Sequence, residues 1–166
     1  MNSTSKNKIS LIVEVILKQL YTIKYRWEKL INLERLTMST ILLSINPEYV
    51  EKIFNGTKKY EYRKVKCKRK VDKILIYETA PTMKIVGEAN VKDILEDTPE
   101  KIWEKTKNNS GTTIESFFRY YDGCKNAIAY ELKDVQKYDE PQSLSEYGIR
   151  IAPQSFVYID NISKSK

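Results

Sequence analysis

The chain has 166 residues, of which 41% are hydrophobic, and carries a formal net charge of +7. It contains no histidine, which excludes Ser-His-Asp and Cys-His catalysis and removes the commonest zinc ligand. This length suits one compact domain with an appendage, because two full hydrophobic cores need a longer chain.

The two cysteines, Cys67 and Cys124, match no metal-ligand spacing. The apolar stretch near the N-terminus lacks the small-residue cleavage site of a secretory signal. We therefore predict two unpaired thiols in a cytoplasmic protein, with no metal site and no cofactor.

Residues 1–37 differ from the rest of the chain because apolar residues recur there at steps of three and four. This spacing predicts an amphipathic helix. Charged residues such as Lys18 and Lys24 interrupt the pattern, so no run of about 20 apolar residues could span a bilayer. The helix is expected to pack on the domain or on a protein partner, and a surface membrane helix is a less favoured alternative. The recurring residues are Ile9, Ile12, Val13, Ile16, Leu20, Ile23, Trp27 and Leu30.

A further hypothesis concerns the start of translation. Met38 immediately precedes the first predicted strand, and residues 33–35 can be encoded by purine-rich codons typical of a bacterial ribosome-binding site. On this hypothesis residues 1–37 do not belong to the native protein. The predicted organisation is an extension at 1–37, a domain at 38–160 and a polar tail at 161–166.

The remaining elements are read from apolar runs and from turn residues. Helices are predicted to begin at Pro47, at Pro99 and near Thr113, where polar capping residues or first-turn prolines occur. The predicted strands are residues 41–45, 59–65, 73–77, 85–94, 127–138 and 155–159. Short strands with helices inserted between them predict an α+β fold, a small mixed β-barrel with flanking helices, rather than a doubly wound sheet.

The positive charge is concentrated in one basic band, residues 58–73, which holds nine basic and two acidic residues. The rest of residues 38–166 carries about −4. A basic band on an acidic body is typical of polyanion binding, although a solvated surface is the simpler alternative. The predicted phosphate contacts are Lys59, Lys64, Lys66, Lys68, Arg69 and Lys70.

At the start of this band, residues 56–63 read Gly-Thr-Lys-Lys-Tyr-Glu-Tyr-Arg. This stretch matches the Gly-x-Lys-x-x-Glu-x-Arg motif of the ASCH domain, a branch of the PUA-like superfold. Leu144, Gly148 and residues 153–158 resemble the closing segment of stand-alone prokaryotic members. The resemblance covers about residues 39–159 and leaves the N-terminal extension unexplained.

The resemblance implies a PUA-like β-barrel with helices beside a cleft, and a role in binding RNA or modified bases. Some members are thought to act in transcription or translation, whereas others resemble ribonucleases or hydrolases of acetylated cytidine. The amidohydrolase-like members place a threonine where this chain has Glu61, so the expected hydroxyl nucleophile is missing.

Strand geometry places a condition on the motif. On an ideal strand Glu61 and Arg63 share one face, while Lys58 lies on the other. Lys58 must therefore lie in the turn that Gly56 permits if the three charges are to converge. The predicted ligand-binding residues are Lys58, Glu61, Arg63, Tyr60, Tyr62 and Ser44.

Several roles are open to these residues. Glu61 and the cations could hold a base edge and a phosphate, or Glu61 could act as general base with Lys58 as electrophile or proton donor. Alternatively, Glu61 and Arg63 could form an ion pair that closes the barrel mouth, and both tyrosines could be packing residues. The aromatic residues Trp103, Phe117 and Phe118 are predicted to be core.

We therefore expect a binding protein for RNA or a nucleotide, with a regulatory role in transcription or translation. The first alternative is a metal-independent hydrolase, of ribonuclease or amidohydrolase type, acting on RNA or a modified nucleoside. The second alternative is a protein interaction module whose N-terminal helix recruits a partner.

Overall fold

The structure is a computed structural model, and it describes residues 13–14, 16–30 and 39–159. The chain divides into two compact units with the boundary after Met38. The predictions for residues 33–35 and for the tail at 161–166 lie outside the described residues.

The first unit contains one helix, α1, in which residues 13–14 and 16–30 are helical. Its large apolar side chains are exposed, including Leu17, Leu20 and Trp27. Ile9 and Ile12, which also belong to the predicted apolar pattern, lie outside the described residues. No helix in the described ranges is long and apolar enough to cross a membrane.

The second unit contains six strands and three helices. Its strands are β1 (Thr40–Ile45), β2 (Tyr60–Arg63), β3 (Lys73–Glu78), β4 (Lys84–Asp97), β5 (Ala127–Gln142) and β6 (Phe156–Tyr158). Its helices are α2 (Pro47–Phe54), α3 (Pro99–Thr106) and α4 (Ile114–Tyr120), with short 3-10 helices at Lys107–Asn109 and Leu144–Tyr147.

All six strands form one mixed sheet in the order β2-β5-β4-β3-β1-β6. Strands β1 and β3 are parallel, and every other pair is antiparallel. The sheet curls into a half-barrel, which confirms the predicted α+β class and mixed sheet. Strand β2 forms one edge of the sheet, and β1 lies next to the opposite edge strand, β6.

The main core lies where helix α2 packs against β1, β3 and β5. Ile41, Leu43 and Ile45 alternate along β1 and point into this core, as the two-residue period of a strand requires. Val50 and Ile53 are three residues apart on α2 and bury the facing side of the helix. Burial on this scale contributes roughly 25 cal/mol per Å² of apolar surface.

Helices α3 and α4 form a second cluster with strands β2 and β5. Phe117 and Ile102 are buried there with Tyr62, and Trp103 and Phe118 are partly buried against them. The ring of Tyr62 contacts the ring of Phe117 edge to face, with centroids 4.9 Å apart. The aromatic residues predicted to be core therefore contribute to packing, and α3 and α4 fix one wall behind β2.

Strand β2 is shorter than predicted, running over Tyr60–Arg63 instead of residues 59–65. On its C-terminal side Lys64 and Val65 are exposed. On its N-terminal side Lys58 makes only an isolated antiparallel bridge with Ser110, outside the strand. The motif lysine therefore lies before the strand that carries Glu61 and Arg63.

Candidate functional site

The turn after α2 determines where Lys58 lies. Gly56 adopts φ +80°, a left-handed conformation that ends the helix without a steric penalty. The side chain of Asn55 then accepts a hydrogen bond from the backbone N–H of Thr57, and the backbone N–H of Lys58 donates to the carbonyl of Lys52. The motif glycine thus turns the chain back so that Lys58 points toward β2.

The three motif charges converge within one cleft. Arg63 Nη2 lies 2.9 Å from Glu61 Oε1, and Lys58 Nζ lies 3.7 Å from Glu61 Oε2. The side chains of Lys58, Glu61 and Arg63 are 3%, 8% and 11% exposed. Strand alternation places Glu61 and Arg63 on one face, and the bridge position of Lys58 brings the third charge to them.

Each cation has a second partner. Arg63 Nη2 donates to the backbone carbonyl of Ser44 at 2.8 Å, and Lys58 Nζ donates to that of Ser110 at 3.2 Å. The Lys58 amine also lies 4.4 Å from the ring centroid of Tyr62 and 5.2 Å from that of Tyr49. Two carbonyls and two aromatic rings therefore help the single carboxylate to compensate two buried positive charges.

Arg63 keeps one unused donor. Among the described residues, its Nε has no hydrogen-bond acceptor although the atom is buried. A buried donor without an acceptor is costly, by about 1–3 kcal/mol, and occurs rarely in folded proteins. An acceptor on a bound ligand would remove this cost.

Burial shapes the ionisation of the cleft. Removal from water lowers the pKa of Lys58 below its ordinary value of 10.5, and nearby Arg63 adds to this effect while Glu61 opposes it. Burial also raises the pKa of Tyr62 to about 12, although a hydrogen bond from its hydroxyl to Thr106 opposes that shift. Lys58 is therefore less firmly protonated than a surface lysine.

A cavity of about 150 Å³ opens beside these charges. Its walls combine polar groups with four aromatic rings. The lining residues are Ser44, Ile45, Asn46, Tyr49, Lys58, Glu61, Tyr62, Arg63, Thr112, Ser116, Phe117 and Tyr120. Charged groups within aromatic walls suit a small planar ligand that carries an anion.

The predicted ligand residues divide into two groups. Ser44, Lys58, Glu61, Tyr62 and Arg63 all line the cavity. The hydroxyl of Ser44 already donates to the carbonyl of Pro153 at 2.7 Å. Tyr60 is not among the lining residues, because it packs against the second cluster beside α3 and α4.

The predicted phosphate contacts lie outside this cavity. Lys59, Lys64 and Lys68 are exposed, and the Lys64 amine lies 5.2 Å from the ring centroid of Tyr120 at the cleft. Lys66 and Lys70 are also exposed, but they pair with Glu96 and Asp72.

The basic loop, residues 66–70, is held in place on the domain. The Arg69 guanidinium lies 3.7 Å from the ring centroid of Tyr158, whose hydroxyl accepts the backbone N–H of Arg69. Cys67 is buried and its backbone N–H donates to Tyr130, while burial raises the pKa of its thiol. Both Cys67 and Cys124 are unpaired thiols.

Sequence reasoning missed several lining residues, including Tyr49, Asn46 and Tyr120. Tyr49 adjoins the apolar positions of α2, and Tyr120 lies three residues after the buried Phe117. A helix exposes such boundary positions at the edge of its apolar face, so a signal existed for both. Asn46 gave no signal, because its position before Pro47 is fully explained as a helix start. No group of three metal-ligating side chains occurs in the part of the chain that the structure describes.

Curled mixed sheet, helix placement and motif geometry together define an ASCH-domain protein of the PUA-like type. The crystal structure of ASCH from Zymomonas mobilis has a TM-score of 0.66 and 23% sequence identity. That match covers 72% of this chain and 86% of the Zymomonas chain. At this level of identity the similarity establishes the fold.

A family model extends this assignment along the sequence. Residues 38–159 match the family described as "Domain of unknown function (DUF365)", and the chain belongs to that family.

Two curated relatives are similar in sequence. The chain is 32% identical over 127 residues to large ribosomal subunit protein uL22 of Ureaplasma parvum serovar 3, a match of 76% of this chain and 41% of the relative. It is 25% identical over 96 residues to an ASCH domain-containing ribonuclease of Zymomonas mobilis, covering 57% of this chain and 65% of that protein. The chain thus spans less than two thirds of either relative.

Proposed function

We propose that this protein binds single-stranded RNA, holding one nucleotide in the cleft and contacting flanking phosphates through the exposed basic residues. The observation that carries the proposal is the convergence of Lys58, Glu61 and Arg63 on an aromatic-walled cavity, with the Nε of Arg63 left without an acceptor among the described residues. The similarity to an ASCH domain-containing ribonuclease supports RNA as the ligand class.

Each group has a defined part in this proposal. Arg63 offers its Nε–H to a phosphate or base oxygen, and Glu61 accepts from an exocyclic amine or a hydroxyl. Tyr62 and Phe117 are held by packing, so the aromatic walls provide stacking surface without further ordering. Lys64 lies beside Tyr120 at the cleft, from which the basic loop continues the positive surface.

The test is binding of a fluorescent single-stranded RNA, followed by anisotropy over a series of salt concentrations. If four of the basic residues meet phosphates, the plot of log affinity against log salt should have a slope of roughly −3. Arg63→Lys should weaken binding while leaving the slope near its wild-type value. Binding that ignores both salt and Arg63 would exclude the proposal.

A second candidate is RNA cleavage, and the lowered pKa of Lys58 favours it because a less firmly held proton is more readily transferred. In this reaction the 2′-hydroxyl attacks the adjacent phosphorus and Glu61 takes its proton. The bond to the 5′-oxygen breaks, and the Lys58 ammonium gives that oxygen a proton, leaving a cyclic phosphate and a 5′-hydroxyl. Arg63 would stabilise the charge on the phosphoryl oxygens.

Mass spectrometry of RNA incubated with the protein distinguishes cleavage from binding. Cyclic-phosphate products that disappear in Glu61→Gln, and with RNA that is 2′-deoxy at the cleaved position, would establish the cleavage reaction. Intact RNA with salt-sensitive binding would leave the protein as a binder. Recruitment of a protein partner by the N-terminal helix, cytoplasmic location and a regulatory role stay predictions.

A further inference from the structure

A short segment, Asn109–Gly111, lies alongside Lys58 and Lys59. The backbone N–H of Lys59 donates to the carbonyl of Asn109 at 2.8 Å, and Lys58 Nζ donates to the carbonyl of Ser110 at 3.2 Å. Lys58 and Ser110 also form an antiparallel bridge, and Ser110 is 3% exposed. The segment therefore covers the motif lysine along both its backbone and its side chain.

Gly111 makes this close approach possible. A Cβ atom at Gly111 would lie 2.4 Å from Lys58 Cβ, 2.9 Å from Lys58 Cγ and 3.1 Å from Lys58 Cα. These atoms form the root of the lysine side chain, so rotation of its flexible end cannot relieve the clash. Gly111 also has φ +63°, which disfavours any side chain.

Two other glycines separate contact from backbone strain. Gly123 has φ +72° and Gly56 has φ +80°, yet a Cβ at either would have no heavy atom within 4 Å. A substitution at Gly123 therefore carries a similar backbone penalty without touching Lys58. The need for glycine at position 111 arises from Lys58 as well as from the backbone.

We propose that Gly111 is the positioning residue for Lys58, because its lack of a side chain lets the segment hold the lysine amine in the cleft. The amine is thereby kept 3.7 Å from Glu61 Oε2, 3.2 Å from the Ser110 carbonyl and 4.4 Å from the Tyr62 ring centroid. That Lys58 then meets RNA rests on the proposed function.

The same contact controls the ionisation of Lys58. The segment keeps water from the amine, and this desolvation lowers its pKa. A methyl group at position 111 must displace either the segment or Lys58, which readmits water. The Lys58 pKa should then rise toward its ordinary value of 10.5.

The test measures Lys58 directly and needs no RNA. Wild type, Gly111→Ala and the matched control Gly123→Ala are acetylated with trace acetic anhydride between pH 7 and pH 11, and peptide fragmentation separates Lys58 from Lys59. The midpoint of each pH profile reports the Lys58 pKa, and the plateau rate reports access to the amine.

We expect Gly111→Ala to raise both the midpoint and the plateau rate, and Gly123→Ala to leave both at wild-type values. A Gly111→Ala profile that coincides with the wild-type profile would overturn the positioning role. Equal changes in the two variants would also overturn it, since backbone strain alone would then explain them.

A double-mutant cycle keeps the proposal testable if Gly111→Ala folds poorly. Lys58→Gly removes the atoms that a Cβ at position 111 would strike, so the destabilisation by Gly111→Ala should fall to that of Gly123→Ala in this background. An undiminished destabilisation would contradict the contact.

RNA affinity is then measured separately for each variant. Weaker binding by Gly111→Ala than by Gly123→Ala would link the positioning of Lys58 to the ligand, and equal affinities would contradict that link. Absence of RNA binding by the wild type would refute the proposed function, while the acetylation profiles would still decide whether Gly111 positions Lys58.

Discussion

The basic band contains two regions that use the same residue types under opposite conditions. In the cleft, Lys58 and Arg63 are almost fully buried around Glu61, and carbonyls and aromatic rings surround them. In the basic loop, Lys66 and Lys70 are half-exposed or more and pair with Glu96 and Asp72 at the surface. Burial is the main difference between the two sets of charges.

This difference determines what each region can contribute. Buried charges interact strongly and have fixed geometry, so removing one leaves its partners uncompensated. Exposed charges are screened by salt and contribute little to stability, but they attract a polyanion from any direction. The cleft is therefore suited to selecting a ligand, and the loop is suited to holding its backbone.

The largest expected effect is on stability. Glu61→Gln leaves two cations buried without their carboxylate and should lower the free energy of unfolding by about 3–5 kcal/mol. Urea unfolding followed by circular dichroism measures this loss. The matched control is Glu96→Gln, which breaks the exposed pair with Lys66 and should cost less than about 1 kcal/mol. Similar losses in both variants would refute the contrast between the two regions.

Next in size are the effects on RNA binding. Arg63→Lys keeps the charge but loses the planar fork, and the loss of a charged hydrogen bond of about 1.5–3 kcal/mol should weaken affinity roughly ten- to hundredfold. Lys64→Ala with Lys68→Ala should instead reduce the salt slope by about 1.4, from two lost phosphate contacts. Anisotropy titrations at several salt concentrations report both quantities. Exchange of these two signatures between the regions would show that the loop selects and the cleft only attracts.

The pH dependence of stability should carry the sign of a buried lysine. Because the folded-state pKa of Lys58 is lowered, the unfolded chain binds more protons between that pKa and 10.5. The free energy of unfolding should therefore rise with pH across this window, relative to a Lys58→Met variant.

Urea unfolding of both proteins at stepped pH values below 10.5 measures this difference. The variant is needed because other groups, such as Tyr62 with its raised pKa, contribute the opposite slope above pH 10. A difference that stays constant with pH would mean that burial leaves the Lys58 pKa unaltered.

The smallest effect concerns the loop pair itself. A double-mutant cycle on Lys66 and Glu96 should give a coupling energy of about 0.2–1 kcal/mol at low salt. Because both side chains are exposed, that coupling should vanish near 1 M salt, where charges are screened within about 3 Å. The coupling between Glu61 and Arg63 should persist there, and its loss in salt would indicate that the cleft is open to solvent.

Local patterns predicted most of the fold. The apolar alternation of Ile41, Leu43 and Ile45 required a buried strand, and Pro47 and Pro99 marked the starts of two helices. The end of β2 was harder to predict, because Lys64 and Val65 fit a strand as well as Tyr60 and Tyr62 do. Pairing with β5 ends at Arg63, and such long-range pairing is not encoded within the strand.

The site was predictable to the extent that it lies within the motif. Spacing alone named Lys58, Glu61 and Arg63, and strand geometry required Lys58 to lie in a turn. Gly111 and Tyr120 could not be found in this way, because they are about 50 residues away and reach the cleft through tertiary packing. Gly111 read only as a helix breaker, since a sequence does not reveal which residue will press against a glycine.

The hydrogen bond from Arg63 to the Ser44 carbonyl has a consequence for the sheet as a whole. Arg63 lies on β2, at one edge of the curled sheet, whereas Ser44 lies on β1, beside the opposite edge strand. The bond therefore spans the open side of the half-barrel. It links the two ends of a sheet whose strands do not close by backbone pairing.

A ligand that draws the guanidinium away from Ser44 weakens this link, and one that leaves it in place preserves the link. Ligand binding and the curvature of the sheet are then thermodynamically coupled, so that each biases the other by the same free energy. The residue that recognises the ligand would in this way also set how wide the half-barrel stands open.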